Sequence, residues 1–172
     1  TYINSNVKFY GEVINGDSLY TAVGTGSWIV DVQGNFTNNG VVNCNLKYNF
    51  SKNFTNDGEF KSQDVMFVGN NDHIFKTLNQ KYVNFTSKLH SVEGKVVAGS
   101  DLYLTSNMND FVVKELDLSS GFDLHAKNIR IGSDYYTSQY GFRTKIIGNG
   151  NKIFFNDNLP IDQYFFQACD LY

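Results

Sequence analysis

The side chains able to do chemistry are few and scattered. His73, His90 and His125 are the only histidines, and none stands at a zinc-type spacing from another His or Cys. Each reads as a surface polar residue rather than a ligand or a general base. There is no Gly-x-Ser-x-Gly nucleophile elbow and no Gly-x-x-x-x-Gly-Lys phosphate loop. Gly24-Thr25-Gly26-Ser27 is a glycine-rich turn ahead of a strand, with no helix whose N-terminus could seat a phosphate. Carboxylates remain. A hydrolase needs two of them converging on one face, and calcium needs several oxygens. Asp101, Asp117, Asp123 and Asp134 could line neighbouring turns of a repetitive fold, with Arg130 nearby. Spaced outward Asp also serves simple solvation, and that is the reading adopted. Asn70-Asn71-Asp72 and Asn156-Asp157-Asn158 suit calcium as turns, yet neither carries Gly-Gly-x-Gly-x-Asp. No catalytic, cofactor-binding or metal-ligating residue is assigned, structural calcium being the alternative, and the chain is expected not to be an enzyme.

Cys44 and Cys169 offer at most one bridge, across 125 residues. In a compact sandwich they could meet. At distant levels of an elongated stack they could not reach the short Cα separation a disulfide requires. Two buried free thiols is the plainer reading, with a bridge or metal ligation as alternatives. Four Asn-x-Ser/Thr sequons occur, at Asn35, Asn49, Asn53 and Asn84, each with Phe between. They would be glycosylation acceptors in a eukaryotic secreted protein. Two fall inside an internal repeat, so an inward Phe flanked by corner-shaping Asn and Thr explains them better. Ice binding would need ranks of Thr-x-Thr, which are absent.

The elements that must carry these residues are strands. Charged residues make up only 18%, and polarity comes instead from Asn, Gly, Ser and Thr, with 22 Asn against one proline, Pro160. Asn and Gly allow frequent tight reversals, and the Val, Ile, Tyr, Phe and Thr runs between them suit a pleated, half-buried surface. A net charge of −3 and scattered Lys and Arg argue against a nucleic-acid partner. No apolar stretch approaches the roughly 20 residues of a membrane span. Thr1-Tyr2-Ile3-Asn4 has no leader character, which fits a processed protein or an excised domain.

Internal repetition is the strongest signal. Asn35-Phe36-Thr37-Asn38-Asn39-Gly40 recurs eighteen residues later as Asn53-Phe54-Thr55-Asn56-Asp57-Gly58, with one conservative change. At a spacing of twenty, Val96, Ala98, Leu102, Leu104, Asn109 and Phe111 map onto Leu116, Leu118, Phe122, Leu124, Ile129 and Ile131. The apolar residues come in i, i+2 couples, the period of a strand with one face buried. The expectation is therefore a single all-β domain over 1–172: a parallel β-helix or β-solenoid with coils of about 18–20 residues, each burying its inner face only by stacking. A β-sandwich of jelly-roll or immunoglobulin-like type is the fold alternative. Thr144–Ile147 and Lys152–Phe155, around Gly148-Asn149-Gly150-Asn151, read as a hairpin or a corner between coils. No long helix is expected; 135–172 reads as a C-terminal cap or interface segment, within which Asp162–Tyr172 is a closing strand or cap, or alternatively an aromatic docking patch for a neighbouring subunit.

The runs Gly34–Gly40, Val65-Met66-Phe67-Val68-Gly69-Asn70 and Val83-Asn84-Phe85-Thr86 carry a family likeness. Lys95-Val96-Val97, Ser100–Leu104 and Leu116–Gly121 extend it. Together they resemble the "GNFTNNG…VxFxGN…FxNL" coils of secreted bacterial β-solenoid repeat proteins, the adhesin-like surface proteins of Bacteroidota. The resemblance covers about 28–134; residues 135–172 depart from it. It implies an exported, surface-attached protein serving in adhesion or as a structural filament.

The resulting expectation is an extracellular, cell-surface structural or adhesive module, a subunit or segment of a fibre. Its partners would be other copies or neighbouring modules of a larger surface protein. Phe9, Tyr10, Tyr135, Tyr136, Tyr140, Tyr164, Phe165 and Phe166 are the expected contact residues. The alternative is a carbohydrate-binding module using exposed Tyr and Trp28 as sugar platforms, or less favourably a polysaccharide-active β-helix enzyme.

Overall fold

The computed structural model describes residues 1–3, 5–21, 28–132, 142–155 and 169–172. Within them every regular element is a strand, and every pairing is parallel. Parallel strands cannot be joined by tight hairpins. Here the crossover between paired strands is simply one full turn of the chain, so the protein is a β-solenoid with three faces. The sandwich alternative, which needs antiparallel sheets, is excluded.

The first face stacks β1 (Tyr2–Ile3), β4 (Ser18–Thr21), β7 (Val41–Asn43) and the start of β10 (Glu59–Phe67). It continues through the starts of β12 (Val83–Ala98), β13 (Leu102–Asp117) and β14 (Leu124–Ile131) to β16 (Ile153–Phe155). The second face stacks β2 (Val7–Phe9), β5 (Ile29–Val32), β8 (Lys47–Phe50) and the later parts of β10, β12, β13 and β14. The third stacks β3 (Val13–Asn15), β6 (Phe36–Asn38), β9 (Phe54–Asn56) and β11 (His73–Thr77). The ends of β12 and β13, β15 (Thr144–Ile147) and β17 (Cys169–Leu171) complete it. The long strands bend at corners, where the register shifts, as between Ser62 and Asp64 or between Ser91 and Lys95. Thr144–Ile147 and Ile153–Phe155 belong to different faces, so the Gly148–Asn151 segment is a corner and not a hairpin. The ladders also run through β1–β4 and β15–β17, outside the 28–134 span of the sequence resemblance.

Alternation sends every second residue inward, and stacking turns these positions into columns. Val30, Tyr48, Val65, Leu89, Phe111 and Ile131 form one on the second face, each fully or almost fully buried. Val13, Phe36, Phe54 and Phe75 form another on the third. Phe36 and Phe54 lie 5.7 Å apart between ring centroids, and Phe54 stacks on Phe50 at 4.6 Å and on Phe75 at 5.2 Å. The eighteen-residue repeat is thus one turn of the solenoid.

The same repeat positions its polar residues for a second reason. Asn15, Asn38 and Asn56 point inward at the end of the third face. Asn15 Nδ2 donates to Asn38 Oδ1 at 2.7 Å, and Asn38 Nδ2 donates to Asn56 Oδ1 at 2.8 Å. Asn56 Nδ2 donates to the Gly58 carbonyl at 3.0 Å, and Asn38 Nδ2 also reaches the Glu59 carbonyl at 2.9 Å. A buried amide is costly unless its donors and acceptors are met; here each Asn meets the next and holds the corner carbonyls. The glycine two positions on is required by proximity. A methyl group on Gly58 would overlap the Gly40 carbonyl oxygen, and one on Gly40 would overlap that of Asp17.

The twenty-residue alignment holds for part of the turn. Val96 pairs with Leu116, Asn109 with Ile129 and Phe111 with Ile131. Leu102 instead pairs with Leu124, and Leu104 with Ala126. The corner after Leu118 is two residues longer than the one after Ala98, its turn closing at Gly121 with φ 95°. The register shift between Thr105 and Asn109 removes the excess. Turn length is therefore not uniform, reaching thirty residues between Glu115 and its partner Lys145.

Candidate functional site

The residues singled out for chemistry are absorbed into the scaffold. Two of the three histidines are not surface residues: His73 is fully buried and His90 is 8% exposed. His73 faces inward at the start of the third face, its Nδ1 3.2 Å from the Lys52 carbonyl and its ring 5.4 Å from Phe67. His90 lies on the second face between Met66 and Val112. Burial, reinforced by Lys88, lowers its pKa from 6.5 to about 4, with Asp64 opposing. Only His125 is half-exposed.

The three described carboxylates of the suggested set do not converge. Asp101 Oδ1 accepts the Asp123 backbone N–H at 3.0 Å, and Asp123 Oδ1 accepts that of Lys152 at 2.8 Å. Each thus clamps the start of a strand in the next turn. Asn6 on Ile29 and Asn53 on Ile74 do the same at two other corners, both at 2.9 Å. Asp117 accepts from Lys95 at 3.1 Å and from Ser119, which together hold its carboxyl below the usual carboxylate range against the opposing effect of burial. Arg130 pairs with Asp110 at 2.8 Å rather than with any of them. Asp134 and Asn156–Asn158 lie outside the described residues. Asp72 pairs with Lys95 at 3.7 Å, and no group of three or more His, Cys, Asp or Glu gathers as a metal site among the described residues. Cys44 is a free, buried thiol whose Sγ lies 3.2 Å from the Leu19 carbonyl, and burial raises its pKa.

Of the expected contact residues, Phe9 and Tyr10 fall in the first turn, 37% and 82% exposed. Tyr135, Tyr136, Tyr140, Tyr164, Phe165 and Phe166 lie outside the described residues. Trp28 is half-buried and packs against the core, which suits it to packing more than to a sugar platform.

Sequence reasoning foresaw only in part where the exposed apolar residues collect. Tyr2, Phe9, Tyr10, Ile14, Tyr20 and Ile29 belong to the first two turns, and Phe154, Leu171 and Tyr172 to the last. Only Ile74 and Leu78 interrupt this among the large exposed hydrophobics described. Among the described residues, β1, β2 and β3 each pair on one side only, as do β16 and β17. Among the described residues, both ends therefore combine strand edges paired on one side with apolar surface.

The sides differ. On the second face Lys47, Asp64, Lys88, Asp110 and Arg130 are successive register partners, alternating in sign. On the third, Lys95, Glu115, Lys145 and Asp170 do likewise, with Lys145 3.4 Å from Glu115. Such pairs add little stability individually. A slip by one turn would set like charges opposite each other, so the ladders specify register. The first face carries an outward aromatic column instead. Tyr103, His125 and Phe154 stack at 4.3 and 4.8 Å with planes within 4° and 11°.

Comparison with protein-family models, with curated proteins and with solved structures finds no match to this chain.

Proposed function

We propose that this protein is a structural or adhesive surface module that makes its contacts chiefly through the two ends of the stack. The observation carrying this reading is the gathering of exposed apolar side chains and one-sided strand edges at the first and last turns. An open parallel edge offers N–H and C=O groups to a further strand. The apolar residues around it lose water only when something of matching cross-section is laid on top. Another solenoid turn has that cross-section, supplied by a second copy or by a neighbouring module. The second and third faces support the same view, because the charges of their two ladders meet opposite charges within the stack. Extracellular, cell-surface placement belongs to this reading through the resemblance of the repeats.

A sugar platform on the stacked aromatic column is less well supported. Pyranose rings need a free aromatic face, and Tyr103 and His125 use theirs on each other and on Phe154.

Sedimentation velocity and negative-stain electron microscopy across a concentration series test the proposal. The wild-type protein should form linear assemblies as concentration rises. Ile14→Lys at one end or Leu171→Lys at the other, both at exposed positions, should abolish them while leaving the circular dichroism unchanged. A wild-type protein that stays monomeric into the millimolar range would refute end-to-end self-association.

A further inference from the structure

The first face carries a run of uncommitted polar groups on its outer side. Asn43, Lys61 and Asn84 stand one above another on its outer side. Neither they nor Lys81 make a side-chain hydrogen bond or ion pair with another described residue. Around them the surface sinks into two adjoining depressions of ≈ 330 and ≈ 300 Å³, which share Asn43 and Lys61. Each is at the lower end of the volume range of ligand pockets. They run side by side along the strand direction, from the corner at Gly58 to the corner at Ser62.

Tyr82 borders the larger hollow. Its ring centroid is 5.4 Å from that of Tyr103, but its plane is turned by 79°. Tyr82 thus departs from the parallel stack of the column below it and lines the hollow beside Lys61, Lys81 and Asn84. The lining combines two cations and one carboxylate, Glu59, with two amides, the Thr105 hydroxyl and an aromatic ring, a net positive charge of one. On a chain of net charge −3, this is a local reversal of sign.

We propose that this groove binds an acidic saccharide. Lys61 and Lys81 would meet its carboxylate or sulfate, Asn43, Asn84 and Thr105 its hydroxyls, and the Tyr82 ring the apolar face of a sugar. Charge-assisted hydrogen bonds supply most of the affinity, and ring contact with amide geometry separates a sugar from a bare anion. The proposal concerns the side of the stack and is independent of the end contacts.

Titration calorimetry tests it with oligogalacturonates, alginate oligomers and a hyaluronan tetrasaccharide as acidic probes, maltotriose as a neutral one, and inorganic phosphate as a bare anion. At least one acidic saccharide should bind saturably, and more weakly as salt is raised. Lys61→Ala combined with Lys81→Ala should weaken it about tenfold or more, and Tyr82→Ala about fivefold. Lys114→Ala, at the corner between the second and third faces, should leave it unchanged. Maltotriose should bind at least about tenfold more weakly. Circular dichroism of each variant separates lost binding from lost folding. The proposal is overturned if none of the acidic saccharides binds saturably, if phosphate competes with them mole for mole, or if the double lysine variant, still folded, binds as tightly as wild type.

Discussion

Asn38 and Asn56 occupy the same position in successive turns and share a hydrogen bond of 2.8 Å, both with no exposed surface. Asn15 extends the ladder by one further turn. In-register amides of this kind gain from every added layer, because each supplies both a donor and an acceptor to its neighbours.

Asn38→Ala should be among the more damaging substitutions of a small side chain. It leaves Asn56 Oδ1 without its donor and the Asn15 amide with only the Val41 carbonyl, at 3.3 Å, and the loss should be about 2–4 kcal/mol. Asn39→Ala, next in sequence and exposed, should change stability by less than about 0.5 kcal/mol. Urea denaturation of both variants measures the contrast; equal effects would contradict the ladder's role.

Gly58→Ala should destabilise the fold by about 3 kcal/mol or prevent its formation, since the added methyl meets the Gly40 carbonyl of the turn above. Gly16→Ala is the control. Nothing lies within 4 Å of a methyl group at that position, so its melting temperature should stay within a degree or two of wild type. A Gly58→Ala protein melting with wild type would show that the turns are farther apart than described.

His90 should make stability depend on pH. Its folded pKa of about 4 lies below the unfolded value near 6.5, so the unfolded chain takes up the proton first. The stabilisation is complete above pH 6.5, falls as pH drops towards 4, and falls no further from this group below that. The gap corresponds to roughly 3 kcal/mol. His90→Gln should flatten that segment of the stability curve while leaving the carboxylate-dependent decline below it. An unchanged slope between pH 6.5 and 4 would assign the proton uptake elsewhere.

The repeat was legible because Phe36 and Phe54 combine an inward aromatic with an Asn and a Gly that the stack needs at fixed offsets. Such positions carry several constraints at once and so recur visibly. Leu102 and Leu124 were harder to match, because any apolar residue satisfies that column and the corner between Leu118 and Leu124 is two residues longer than its predecessor. Corners sit outside the columns and are free to vary in length. His73 and His90 were misread for a related reason. Backbone carbonyls left at the corners can accept from a buried imidazole such as His73, and nothing in sequence spacing announces them. The end surfaces were partly foreseen through Phe9 and Tyr10. Ile14 and Leu171 were not, since only the three-dimensional stack shows which turns lack a neighbour.

The relation between Thr37 and Thr55 tests the stacking most directly. They are register partners on the outer side of the third face, with Lys76 the next residue along that column. Adjacent parallel strands lie about 4.8 Å apart, within the roughly 4.4–6.8 Å between Cα atoms that a disulfide spans. Two layers, at about 9.6 Å, do not fit. Thr37→Cys with Thr55→Cys should oxidise readily to an intramolecular bridge, identified by mass spectrometry of proteolytic peptides, without loss of stability. Thr37→Cys with Lys76→Cys should remain reduced under the same conditions. Bridging of the second pair, or failure of the first, would contradict the in-register stack.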